Sequence, residues 1–124
     1  MASIILIDDE EVFCEVIAMV LTQAGHSVRT ASEGSAGVAL YRAEPTDIVI
    51  TDLIMPGKEG IETIRELRRL QPKLPIIAIS GGRINSDLYL HLAGKLGAHR
   101  TLTKPFSSAE LLKAINEILP KAKD

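Results

Sequence analysis

Apolar positions along the chain alternate between two patterns, short unbroken runs and longer stretches with three- to four-residue spacing. The unbroken runs are Ser3 to Ile7 (SIILI), Ile48 to Thr51 (IVIT, ended by Asp52) and Pro75 to Ser80 (PIIAIS). Short runs of this kind, rich in β-branched residues and bounded by polar or turn residues, predict strands buried on both faces, as in a parallel sheet. Ser27 to Thr30 and Arg100 to Thr103 predict two further, more polar strands, the former at a sheet edge.

Between the runs the spacing is helical. Val12, Phe13, Val16, Ile17, Val20 and Leu21 mark a first helix, with Glu10 and Glu11 suited to its N-terminus and Gly25 as its stop. Ser35 to Ala43 predicts a weak helix, because Gly34 and Gly37 lower its intrinsic stability and Pro45 closes it. Ile61, Ile64, Leu67 and Leu70 mark a third, whose charged residues Glu62, Arg65, Glu66, Arg68 and Arg69 predict a solvated, salt-bridged face. A fourth is expected from about Ser86 to Leu96, with the stripe Leu88, Leu92 and Leu96 and a stop at Gly97. Ser107 and Glu110 have capping-box spacing before Leu111, Leu112, Ile115, Ile118 and Leu119, so a last helix starts there and ends at Pro120. Five strand-helix alternations predict an α/β fold, a parallel sheet covered on both faces by right-handed crossovers. With no repeat or linker in the pattern, residues 1–124 are expected to form one domain.

Composition narrows the partners. At 124 residues, 46% hydrophobic, 24% charged and with net charge −2, the chain gives no electrostatic reason to expect nucleic acid or an acidic membrane surface as a partner. No apolar run approaches the ~20 residues needed to span a bilayer. The single cysteine, Cys14, cannot form an internal disulfide and lies in a helical segment without a basic cluster to activate it, so the expectation is a packing residue in a cytoplasmic protein. His26, His91 and His99 lack metal-ligand spacing and are expected on the surface. Phe13 and Phe106 suit either a core or a partner-docking patch. The N-terminal Met1 and the short charged tail Lys121 to Asp124 favour a stand-alone protein.

The candidate chemistry lies where strands stop. In an open parallel sheet all C-terminal strand ends share one edge, and ligands bind in the crevice outside it. Here the strands end in Asp8 and Asp9, in Asp52, in Ser80 and in Lys104. Asp52 is expected to be displayed at the edge, because Met55-Pro56-Gly57 turns the chain out of the strand. Three neighbouring carboxylates repel one another unless a hard, oxygen-liganded dication such as Mg²⁺ or Mn²⁺ neutralises them. The three acids, a dication and the lysine sum to zero charge. A carboxylate in such a setting is a nucleophile for phosphoryl transfer, with the metal, lysine and hydroxyl neutralising the transferred oxygens.

Asp8-Asp9-Glu10 after the first strand, Asp52 with Met55-Pro56-Gly57, Ser80-Gly81 after the fourth strand and Lys104-Pro105-Phe106 after the fifth together resemble a response-regulator receiver domain of two-component signalling, close to the single-domain chemotaxis type. That resemblance covers essentially the whole chain. It implies a flavodoxin-like, doubly wound sheet of order 2-1-3-4-5 with helices on both faces. Asp52 would accept phosphate from a histidine kinase or phosphotransfer protein and switch protein-protein interactions. Asp9, Asp52 and the Ile54 carbonyl would ligate Mg²⁺ directly, Asp8 mainly through water, and Lys104 and Ser80 would contact the phosphoryl oxygens. Such a protein catalyses only its own phosphorylation and slow dephosphorylation.

The sequence departs from the family pattern in two respects. Thr101 occupies the position three before the lysine where receivers usually carry Tyr or Phe, and the positions two after Asp52 and Ser80 hold Ile54 and Gly82, neither able to orient a hydrolytic water. A long-lived phosphorylated state is expected. The alternatives fit less well. An aspartate-nucleophile phosphatase needs a second acid where Ile54 stands, a flavin or cobalamin module would meet three repelling acids after the first strand, and a non-phosphorylated interaction scaffold would have no use for the intact acids and lysine.

Overall fold

The computed structural model describes residues 1–53, 60–81, 91 and 93–119. Its elements run β1 (Ser3–Ile7), α1 (Glu11–Gln23), β2 (Ser27–Ala31), α2 (Gly34–Ala43), β3 (Ile48–Asp52), α3 (Gly60–Leu70), β4 (Ile76–Ser80), a helical stretch at 91 and 93–95, β5 (Arg100–Thr103) and α4 (Ser108–Ile118). The expected turn at Met55 to Gly57, the Ile54 carbonyl, Gly82, the start of the helix near Ser86 and the tail Lys121 to Asp124 lie outside the described residues.

The strands pair in parallel in the order β2-β1-β3-β4-β5, the flavodoxin-like arrangement. β3 and β4 are buried along their whole length, as their unbroken apolar runs require, and the more polar β2 and β5 are the two edges. Because successive side chains point to opposite faces, β1 feeds two cores. Ile5 and Ile7 pack with Val38, Tyr41, Ile64 and Leu67 of α2 and α3, while Ile4 and Leu6 pack with Cys14, Ile17 and Leu21 of α1 and with Leu111 and Ile115 of α4.

Helix ends follow their sequence signals. α1 stops at Gly25 (φ +97°), where the Gly25 amide donates to the Thr22 carbonyl and the His26 amide to the Leu21 carbonyl, a Schellman motif that needs a residue tolerating a left-handed backbone. The same pair of bonds recurs at Gly97 (φ +109°), from Gly97 to Gly94 and from Ala98 to Ala93. At the start of α4 the Ser107 hydroxyl accepts from the Glu110 amide and the Glu110 carboxylate accepts from the Ser107 amide, completing the capping box.

Three expectations need correction. The apolar stripe of α1 is wider than its buried face: Cys14, Ile17 and Leu21 are inside, whereas Val12 is 73% exposed and Val16 more than half exposed. The charged face of α3 is not uniformly solvated. Arg68 turns back, and its guanidinium donates to the carbonyls of Gln71, Pro72, Leu74 and Gly97, tying the end of α3 to the turn before β5. His26 is part-buried and its Nδ1 accepts from the Ala2 amide, so it is a fold contact.

Candidate functional site at the carboxyl edge of the sheet

The register brings the strand ends together. Ile7 pairs with Thr51, so Asp8 comes level with Asp52 on the neighbouring strand. Ser80 pairs with Thr103, and the Lys104 amide donates to the Ser80 carbonyl at 2.8 Å, extending the ladder to the lysine. Carboxylate oxygens of Asp8, Asp9 and Asp52 all lie within 4.8 Å of one another, an arrangement able to hold a cation. Hard oxygen donors of this number, with room for retained waters beside the exposed Asp9, fit Mg²⁺ or Mn²⁺. A cleft of about 370 Å³ between the β1–α1 and β2–α2 connections, lined by Asp8, Asp9, Glu11, Cys14, Thr30 and Ser32, opens beside the acids.

Asp52 differs from expectation in one respect. It ends β3 but is buried, only 5% exposed, and Asp8 and Ser80 are more deeply buried still. Lys104 helps to cover it. The ammonium lies 2.9 Å from Asp8 Oδ2 and 3.8 Å from Asp52 Oδ2, and it also bonds Glu10 Oε1. Asp8 Oδ1 accepts from the Glu10 amide at 2.8 Å, which fixes the carboxylate at the entry to α1.

These contacts shift the site's protonation equilibria. Burial pushes the Asp8 carboxyl above its ordinary range, and the Glu10 amide and Lys104 only partly offset it. Burial pulls Lys104 down, but its bonds to Glu10 and Asp8 and the nearby charge of Asp52 outweigh that, and its net shift is upward. Cys14, whose thiol donates to the Asp8 carbonyl at 3.3 Å, is pushed up to about 11 by burial and by the Asp8 carboxylate. It is a packing residue, as its sequence setting suggests.

Two participants escaped the sequence patterns. Glu10 looked like a helix-start acid, yet its carboxylate reaches Lys104. Phe13 presents its ring 4.0 Å from the Lys104 ammonium and meets Phe106 edge-on, with centroids 5.8 Å apart and planes at 90°. The one available signal was the position of Phe106 two residues after the lysine. Thr101 is exposed on the edge strand β5.

Among known proteins, the probable transcriptional regulatory protein TcrX of Mycobacterium tuberculosis is 29% identical over 117 residues, covering 94% of this chain and 49% of that protein. The chain thus spans about half the length of this curated relative. A response regulator receiver domain protein from Clostridium thermocellum superposes with a TM-score of 0.88 at 33% identity, covering 95% of this chain and 94% of that one. The Vibrio cholerae chemotaxis protein CheY4 superposes with a TM-score of 0.88 at 27% identity, covering 96% and 99%. Residues 4–116 match the family described as the response regulator receiver domain, and with the sheet order and the strand-end acids in place, the chain belongs to that family.

Proposed function

We propose that residues 1–124 form one receiver domain in which Asp52 accepts a phosphoryl group and thereby switches a protein-protein interaction in the cytoplasm. The observation that carries this reading is the convergence of Asp8, Asp9 and Asp52 within 4.8 Å, with the Lys104 ammonium 3.8 Å from Asp52, in a chain of this family. The donor class is the phosphohistidine of a kinase or phosphotransfer protein. An Asp52 carboxylate oxygen forms the bond to phosphorus as the nitrogen–phosphorus bond breaks, and the electron pair leaves with the donor imidazole.

Each residue has a task in that step. Asp9 and Asp52, with the Ile54 carbonyl, would hold Mg²⁺ or Mn²⁺ directly, and Asp8 through water. When bound, the ion supplies positive charge against the phosphoryl oxygens. Lys104, already poised beside Asp52, meets the incoming negative charge, and Ser80 at the end of β4 supplies a hydroxyl. Receiver domains are signalling modules, and the product here is a modified protein. Among the described residues no helix is long and apolar enough to cross a membrane.

Incubation of the chain with Mg²⁺ and acetyl phosphate, followed by intact mass measurement, tests the reading. One phosphoryl adduct per chain is expected, absent without the metal and absent in Asp52→Asn. An adduct that persists in Asp52→Asn, or none in the wild type, would overturn it.

A further inference from the structure

We propose that Phe13 is a positioning residue for the phosphoryl-transfer site, its ring face holding the Lys104 ammonium beside Asp52. The inference rests on the functional reading above. Lysine is a compact, strongly hydrated charge on a flexible stem, so an ammonium among acids does not keep one position without further support. Here the side chain is 14% exposed, and Asp8, Glu10 and the Phe13 ring surround its head. The ring at 4.0 Å replaces water on one side and attracts the cation through its quadrupole.

The geometry makes that support directional. Asp8 and Glu10 draw the ammonium toward the start of α1, and Glu10 is 58% exposed, at the solvent rim. The separation to Asp52, 3.8 Å, is an ion pair beyond hydrogen-bond reach, the position from which the ammonium can meet a group added to that carboxylate. Without the ring, water would solvate the freed side of the ammonium and more of its population would lie at the Glu10 rim. Phe106 braces the ring edge-on, and it belongs to the same segment as Lys104, so lysine and perch are fixed relative to one another. Phe13 also packs against the core beneath α1 and α4, so a purely structural role is the alternative to exclude.

The test uses the full chain and three side chains at position 13. In the wild type and in Phe13→Tyr, the Lys104 ε-methylene protons are expected upfield of ordinary lysine, shifted by the ring current, and in Phe13→Leu they return to the ordinary position. Phosphorylation by acetyl phosphate with Mg²⁺, corrected for folded fraction, should slow roughly three- to tenfold in Phe13→Leu, the factor a cation-π contact commands. Phe13→Tyr should restore the rate. An ordinary Lys104 resonance in the wild type overturns the proposal without any variant. A phosphorylated wild type matched in rate by Phe13→Leu, or a Phe13→Tyr as slow as Phe13→Leu, overturns the positioning role alone. A wild type that takes no phosphoryl group overturns the functional reading and this role together.

Discussion

The Lys104 ammonium stands 2.9 Å from the Asp8 carboxylate across 96 positions of chain. β3 and β4 lie between the strands that carry the two residues, so this one contact crosses above the ends of both. It ties the first strand to the last over the carboxylate that neither of them carries. The ion pair and the cluster of acids are therefore coupled, and a change at either end alters stability as well as chemistry.

Asp8→Asn should raise the melting temperature of the metal-free protein at neutral pH. Burial lifts the Asp8 carboxyl above its reference value of 3.8, so the folded chain holds this proton more tightly than the unfolded one. That stabilises the fold below 3.8 and is lost as pH climbs through the raised folded value. Lys104 acts at the alkaline end: its raised value contributes stability below 10.5 that is lost as pH rises through the folded value. Subtracting the Asp8→Asn melting curve from the wild-type curve across pH isolates the acid limb, because Lys104 keeps its Glu10 and Asp52 partners in both proteins. A flat difference would contradict the burial argument.

Mg²⁺ should stabilise the fold by mass action, gaining about 1.4 kcal/mol at ten times its dissociation constant. Asp9→Ala should abolish the gain, since it removes the exposed member of the acid cluster. Thermal melts over a millimolar titration read this directly. A wild-type midpoint indifferent to the metal would count against the site.

Gly60→Ala should destabilise by about 3 kcal/mol. A Cβ there would come within 2.3 Å of the Asp52 carbonyl oxygen and 2.4 Å of the Leu53 Cα, both backbone atoms that cannot step aside cheaply. Chemical denaturation measures the loss, and a cost below that of an ordinary surface change would mean that the end of β3 is softer than its packing implies.

Arg68→Met should cost about 2 kcal/mol, because it leaves the carbonyls of Gln71, Pro72, Leu74 and Gly97 without a charged donor. It should also raise the pKa of His99, which burial and then the Arg68 and Arg100 charges hold below its ordinary value. A proton NMR titration follows the imidazole. An unmoved His99 would show that burial and the Arg100 charge set it without Arg68.

If Asp52 takes the phosphoryl group as proposed, Ile54→Asn should shorten the lifetime of the adduct, because an apolar group two residues after Asp52 offers a hydrolytic water no partner. The decay of intact mass after removal of the phosphodonor measures it, and equal lifetimes would refute the argument.

Much of this is legible in the sequence alone. Strands and their ends are local events, written in apolar runs stopped by Asp8, Asp52, Ser80 and Lys104, and parallel alternation then forces those ends onto one edge. Burial of Asp52 was not legible, because the lysine that helps to cover it arrives from 52 positions later in the sequence. Glu10 and Phe13 sit in a helix-start pattern that fully explains them, which hid their second contacts with Lys104. Arg68 shares its spacing with exposed neighbours, and the carbonyls of the turn after α3 together with that of Gly97 draw it inward. The exposed Val12 and Val16 mark the limit of periodicity, which identifies apolar positions without saying which of them find a neighbour.

Cys14 gives the protein a built-in clock. The chain has no other thiol, this one is 8% exposed on the sheet-facing side of α1, and with its pKa pushed up to about 11 it is almost wholly protonated at neutral pH. A thiol reagent therefore reacts fastest in moments when α1 lifts from the sheet, and slowly through the cleft that Cys14 lines. The labelling rate follows those openings without any engineered probe, and comparing it before and after acetyl phosphate treatment reads whether the proposed modification alters the hold on the first helix.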